Sequence, residues 1–177
     1  PGTMTPDMWA HQYDQQSNQV LVTAAKREWS TNGDYSNIYG LMPNFACCLA
    51  NMHQGWPKFI ESMWMATNDN GLALVAYGPS VVKAKVGEGK VVTITEETDY
   101  PFKGSVKLSI SSEKSVRFPI DLRIPDWADS VIIKFKNKTA IVKDESHFRL
   151  NERWKNGDHI TIEIPMDIRI EKRYNNS

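Results

Sequence analysis

Cys47 and Cys48 are the only thiols in this chain of 177 residues, and they are adjacent. Neighbouring cysteines seldom meet disulfide geometry, because their Cβ atoms point apart and a bridge would strain the peptide between them. A disulfide framework is therefore excluded, and cysteine usage does not reveal the compartment. Two chemistries remain. One thiolate can act as a nucleophile, or both can serve as soft metal ligands. A closed zinc site takes four donors, so a metal here must draw its other ligands from elsewhere. The alternative is inert: free cysteine packs as a small apolar residue, and two of them suit the buried side of a helix.

His11 and His53 belong to the same region, with Gln12, Gln15, Gln16 and Gln54 close in sequence. Imidazoles and amides beside thiols can bind sugar hydroxyls or move protons. Singly, each is an ordinary, partly exposed residue. Trp9, Trp56 and Trp64 could stack under a sugar ring, or could simply join helices. The lysines at 83, 85, 90, 134, 136 and 138 read as edge protection and solubility, because stacking aromatics do not interleave with them. His147 and His159 look like polar-face residues. The sequence contains no Gly-rich phosphate loop, no HExxH and no GxSxG.

Two different kinds of chain must position these groups. The first seventy residues carry six acids against three bases, four of the six Trp, six of the seven Met and both Cys. After residue 70 the balance reverses to fifteen acids against eighteen bases, and Val, Ile and Lys dominate. The turn cluster 67–71 marks the changeover. It divides the chain into a helical segment, 1–68, and a β-sandwich, 69–177.

In the first part, 18–29 and the stretch from Asn44 to Trp56 carry helical apolar patterns. A third helix is expected over 57–65, with Pro57 in its first turn. Two or three such helices cannot close a core, so their apolar stripes look cut from a larger helical body. In the second part, period-two alternation runs through 106–110, 116–124, 131–135 and 160–170, with an edge or bulge at Pro165. Leu72 to Tyr77 is apolar on both faces and reads as an interior strand. Turns such as Gly78-Pro79 and Asn156-Gly157-Asp158 separate these runs, which indicates an antiparallel β-sandwich.

The ordered combination FACCLAN (45–51), HQGWPKF (53–59), GLALVAYGPS (71–80), VTITEETDYPF (92–102), FPIDLRIPDWA (118–128) and WKNGDHITIEIPM (154–166) says more than any one motif. It resembles the C-terminal part of the bacterial β-L-arabinofuranosidase-like proteins of glycoside hydrolase family 127. The resemblance implies a fold that is mainly β: an antiparallel sandwich preceded by a short α-helical segment cut from an (α/α)6 barrel. It implies a retaining glycosidase acting on glycans, outside the bacterial cytoplasm in the periplasm or beyond.

Members with a Cys-Cys-x-x-Asn motif place the thiolates at zinc, and Cys47, Cys48 and Asn51 match that spacing. The resemblance thus makes Cys47 the nucleophile and both Cys47 and Cys48 zinc ligands. Leu49 and Ala50 stand where the family often has two prolines, which lets a helix continue. The family's general-acid Glu and remaining ligands lie upstream of the matched region. The chain therefore reads as half an active site, inactive and without bound zinc by itself.

Equal numbers of acids and bases exclude a strongly basic nucleic-acid clamp. No run approaches the 18 apolar residues of a membrane span. The start PGTMTPD, without initiator Met or leader, points to a fragment. A carbohydrate substrate is the expected partner, together with the missing barrel and self-association through uncovered helices. Two other readings remain: a non-catalytic carbohydrate-associated sandwich with buried cysteines, and an interaction module that uses the Trp- and Met-rich helices.

Overall fold

The computed structural model describes residues 23–26, 28, 32–38, 50–51, 53–168 and 170. Cys47, Cys48, Trp9 and His11 lie outside them. Of the helix expected over 18–29, residues 23–26 and 28 are described, and they form bend, turn and irregular backbone and no helix. The chain divides into two compact units, 1–59 and 60–177.

The first unit holds a 3-10 turn at Asp34–Asn37 and the start of helix α1, Gly55–Glu61. Pro57 sits in the first turn of α1, where a missing N–H costs nothing. The helix buries none of its side chains. Trp56, Phe59 and Ile60, spaced i, i+3, i+4, form one exposed apolar stripe.

The expected third helix stops at Glu61. Trp64–Ala66 is instead strand β1, pairing antiparallel with β2, Leu72–Leu74. The Val75 N–H reaches the Met63 carbonyl at 3.0 Å, so pairing begins one residue before β1. Three residues of helical continuation offer fewer contacts than a neighbouring strand edge, and tertiary pairing overrides local pattern. The turn between them is held by the Gly71 N–H donating to Thr67 Oγ1 at 3.0 Å.

The second unit is a two-sheet sandwich. Its remaining strands are β3 (Ser80–Val86), β4 (Lys90–Thr98), β5 (Ser105–Ser112), β6 (Val116–Arg123), β7 (Val131–Phe135), β8 (Lys138–Val142), β9 (His147–Trp154) and β10 (His159–Glu163). One sheet runs β1-β2-β6-β9, and the other β3-β4-β5-β10-β7-β8. All pairings are antiparallel except β2 with β6, which is parallel and registers Leu72 with Ile120. The two strands are far apart in sequence, so no hairpin constrains their sense.

Alternation explains the core. Val106, Leu108 and Ile110, then Phe118, Ile120 and Leu122, then Ile160 and Ile162 all point inward and form one cluster. Trp154 and Phe118 are its largest fully buried members, with ring centroids 6.5 Å apart. The Trp154 indole N–H donates to the Phe118 carbonyl at 3.1 Å, which satisfies its one polar atom.

The alternation expected to run to residue 170 ends early. Strand β10 stops at Glu163, and the Ile164 N–H makes the last bond, to the Gly104 carbonyl at 2.8 Å. Pro165 has no N–H to continue the ladder. Met166, Ile168 and Ile170 are exposed despite their period-two spacing.

Candidate functional site

Of the motif-defining residues Cys47, Cys48 and Asn51, only Asn51 is among the described residues. Ala50 and Asn51 are helical, and the Gln54 amide donates to Asn51 Oδ1 at 2.9 Å. The Gln54 N–H also reaches the Asn51 carbonyl at 3.0 Å. A turn therefore follows the motif, and His53 within it is exposed.

The tryptophans do different things. Trp56 is 66% exposed, whereas Trp64 is buried and its indole N–H donates to Ser80 Oγ at 3.1 Å. A ring packed and bonded in this way is closed to a sugar. Trp64 is thus removed from the stacking platform that its residue type suggested.

Trp64 leads into a polar network that the sequence reading missed. Among the described residues Glu96 is the one buried carboxylate. Its Oε2 accepts the Ser80 hydroxyl at 2.7 Å, and its Oε1 accepts the Gly78 N–H at 3.1 Å. The chain Trp64–Ser80–Glu96 links β1 of one sheet to β3 and β4 of the other. Tyr77, beside it, donates its hydroxyl to the Arg123 carbonyl at 2.5 Å and meets Tyr100 edge-on at 5.7 Å.

Burial raises the Glu96 pKa to about 7, opposed by the hydrogen bonds from Ser80 and Gly78. Burial, with the Glu96 charge second, likewise pushes the Tyr77 hydroxyl far above its ordinary value. A perturbed carboxylate is often catalytic. Here both oxygens are spent on the protein's own backbone and hydroxyl, and no face is left for substrate. Glu96 holds the crossover between sheets. Its sequence signal was available: Val92, Ile94 and Glu96 share the inward face of β4, and a carboxylate at such a position needs built-in partners.

The lysines divide similarly. Lys83, Lys85 and Lys90 are exposed, the first two on edge strand β3. Lys134 pairs with Glu163 and Lys138 with Glu152, each at 2.8 Å. Lys136 departs from a plain solvent role. It is half-buried, 3.4 Å from the Asp158 carboxylate and 5.3 Å above the Trp154 ring, so its stem covers the core. His147 and His159 are exposed.

Among the described residues no group of three or more His, Cys, Asp or Glu gathers as a metal site. Among the same residues no helix is long and apolar enough to cross a membrane.

Residues 71–166, more than half the chain, match the family model described as β-L-arabinofuranosidase, GH127 middle domain. The chain belongs to this family. It is thereby a member of a glycoside hydrolase family, and the match covers β2 to just beyond β10. A GH127 β-L-arabinofuranosidase from Geobacillus stearothermophilus T6 is 24% identical with a TM-score of 0.67, over 75% of this chain and 21% of that one. A further glycoside hydrolase is 18% identical with a TM-score of 0.72, over 93% and 26%. A second GH127 β-arabinofuranosidase is 21% identical with a TM-score of 0.61, over 70% and 22%. At these identities the GH127 structures show a shared fold. The chain spans only a fifth to a quarter of the length of each. No curated protein matches it.

Proposed function

We propose that this chain is a portion of a retaining glycoside hydrolase, that Cys47 is its nucleophile, and that β-L-arabinofuranosides are its substrates. The observation that carries the reading is the family match over 71–166, together with the Cys-Cys-x-x-Asn spacing at 47–51. The substrate is the one named for the related structure from Geobacillus.

In this reading the Cys47 thiolate attacks the anomeric carbon as the glycosidic bond breaks, forming a C–S bond to the sugar. The departing oxygen takes a proton from a general acid supplied outside this chain. Water then displaces Cys47, and two inversions return the original configuration. Cys47 and Cys48 would be thiolate ligands of a zinc ion, and their softness suits it. Two thiolates fill half a tetrahedral donor set, and the described residues bring no others together. Bound zinc supplies thiol deprotonation at neutral pH.

Glu96 does not take the acid role, because its oxygens are already bonded to Gly78 and Ser80. The sandwich instead carries the structural share of the enzyme. An assay of the 177-residue chain against aryl β-L-arabinofuranosides tests the division of labour. No turnover above buffer is expected from the chain alone. Turnover abolished by Cys47→Ala would place a complete active site within it.

A further inference from the structure

The loop between β4 and β5 presents an exposed aromatic ring. Phe102 is 90% exposed, yet the loop is held without it. The Asp99 carbonyl accepts the N–H groups of Phe102 and Lys103 at 2.8 and 3.2 Å. The Tyr100 N–H donates to Thr98 Oγ1 at 3.0 Å, and that hydroxyl donates to the Ser105 carbonyl at 2.8 Å. At the far end the Gly104 carbonyl holds Ile164. Water against a large ring on an ordered loop is unfavourable, so the ring is poised to meet an apolar face.

Beside it lies a hollow of about 460 Å3, lined by Pro79, Thr98, Asp99, Tyr100, Phe102 and Lys103. The hollow is shallow and open to solvent. Most of the accessible lining is apolar, from two aromatic rings and a proline, and a charged pair, Lys103 and Asp99, 2.7 Å apart and largely in water, adjoins it. A lipid tail or apolar peptide would match the rings and gain nothing from the charges. A sugar has both surfaces, a C–H face for an aromatic ring and hydroxyls for a carboxylate and an ammonium.

We propose that the Asp99–Gly104 loop is a glycan-binding subsite, with Phe102 as the stacking ring and Asp99 and Lys103 as hydroxyl partners. The inference takes its ligand class from the glycoside hydrolase reading, and it requires no thiol. A subsite of this kind retains polymeric substrate without touching the bond that breaks.

Titration of the 177-residue chain with arabino-oligosaccharides, read by protein-observed NMR, tests it. Shifts should appear at residues 98–104 with a Kd in the range of roughly 1–10 mM. Phe102→Ala should weaken binding at least about fivefold, the loss expected for one stacked ring. The thermal midpoint should not move, since Phe102 is exposed. The readout is binding at residues 98–104 and not turnover, so failure of the nucleophile assignment would leave this result standing. No shifts at about 10 mM sugar, or equal binding by Phe102→Ala, would overturn the subsite. Concentration-dependent shifts at Phe102 without sugar, with no response to sugar, would assign the loop to protein contact and overturn it too.

Discussion

Glu96, near the end of the six-stranded sheet's second strand, accepts the hydroxyl hydrogen of Ser80, the first residue of its neighbour, at 2.7 Å. Ser80 in turn accepts the indole N–H of Trp64 on the opposite sheet. The only buried carboxylate among the described residues therefore sits where the chain crosses between sheets. Its second oxygen holds the Gly78 N–H in that same crossover. A buried carboxylate bonded on both oxygens specifies one path for the chain, and its charge is costly there.

That cost makes stability depend on pH. The Glu96 pKa is about 7 in the folded protein against 4.5 ordinarily, so the native state binds its proton more tightly than the unfolded state. The protonated form's advantage is fully present below pH 4.5 and is lost as pH rises through about 7. The shift corresponds to roughly 3 kcal/mol between those limits. Glu96→Gln, which keeps the shape and one acceptor, should flatten this part of the profile. Urea unfolding at several pH values from 4.5 to 8 reads it, and a parallel pair of profiles would exclude Glu96 as the source.

Gly104 has no room for a side chain. A Cβ there would collide with the backbone carbonyl of Ile164, whose N–H bonds back to Gly104. Rigid backbone cannot yield as a side-chain tip can, so Gly104→Ala should cost more than about 3 kcal/mol. Gly89, with open space around it, offers a contrasting site in a positive-φ turn. Gly89→Ala should cost only about 1 kcal/mol, from its backbone conformation. Comparison of the two urea midpoints checks the difference.

The stripe of Trp56, Phe59 and Ile60 on α1 lies open to water. Such faces drive association. The chain should sediment above monomer mass at micromolar concentration, and Trp56→Gln with Phe59→Gln should lower that mass. A concentration-independent monomer would show that the stripe is not adhesive.

The sandwich was legible because its inward faces alternate so strictly: Val106, Leu108 and Ile110 allow one arrangement, and the core uses it. The same rule misled at Met166, Ile168 and Ile170. Their spacing was right, but Pro165 had removed the ladder donor, and periodicity counts side chains without counting N–H groups. At Trp64–Ala66 three residues were too few to distinguish helix from strand, and pairing with β2 decided. Glu96 was visible on the inward face of β4. Its partners were not, because Ser80 and Gly78 meet it only after the chain has crossed between sheets. The thiol pair, Cys47 and Cys48, lies outside the described residues.

The nucleophile assignment rests most directly on one comparison. A longer GH127 protein that carries this chain should be assayed for β-L-arabinofuranoside turnover and zinc content, as wild type and as Cys47→Ser. The wild type should turn over substrate with about one zinc per chain. Cys47→Ser should lower kcat by roughly a thousandfold or more, because a hydroxyl at neutral pH is a far weaker nucleophile than a thiolate. A Cys47→Ser protein that retains kcat within a few-fold of wild type would contradict the role given to Cys47.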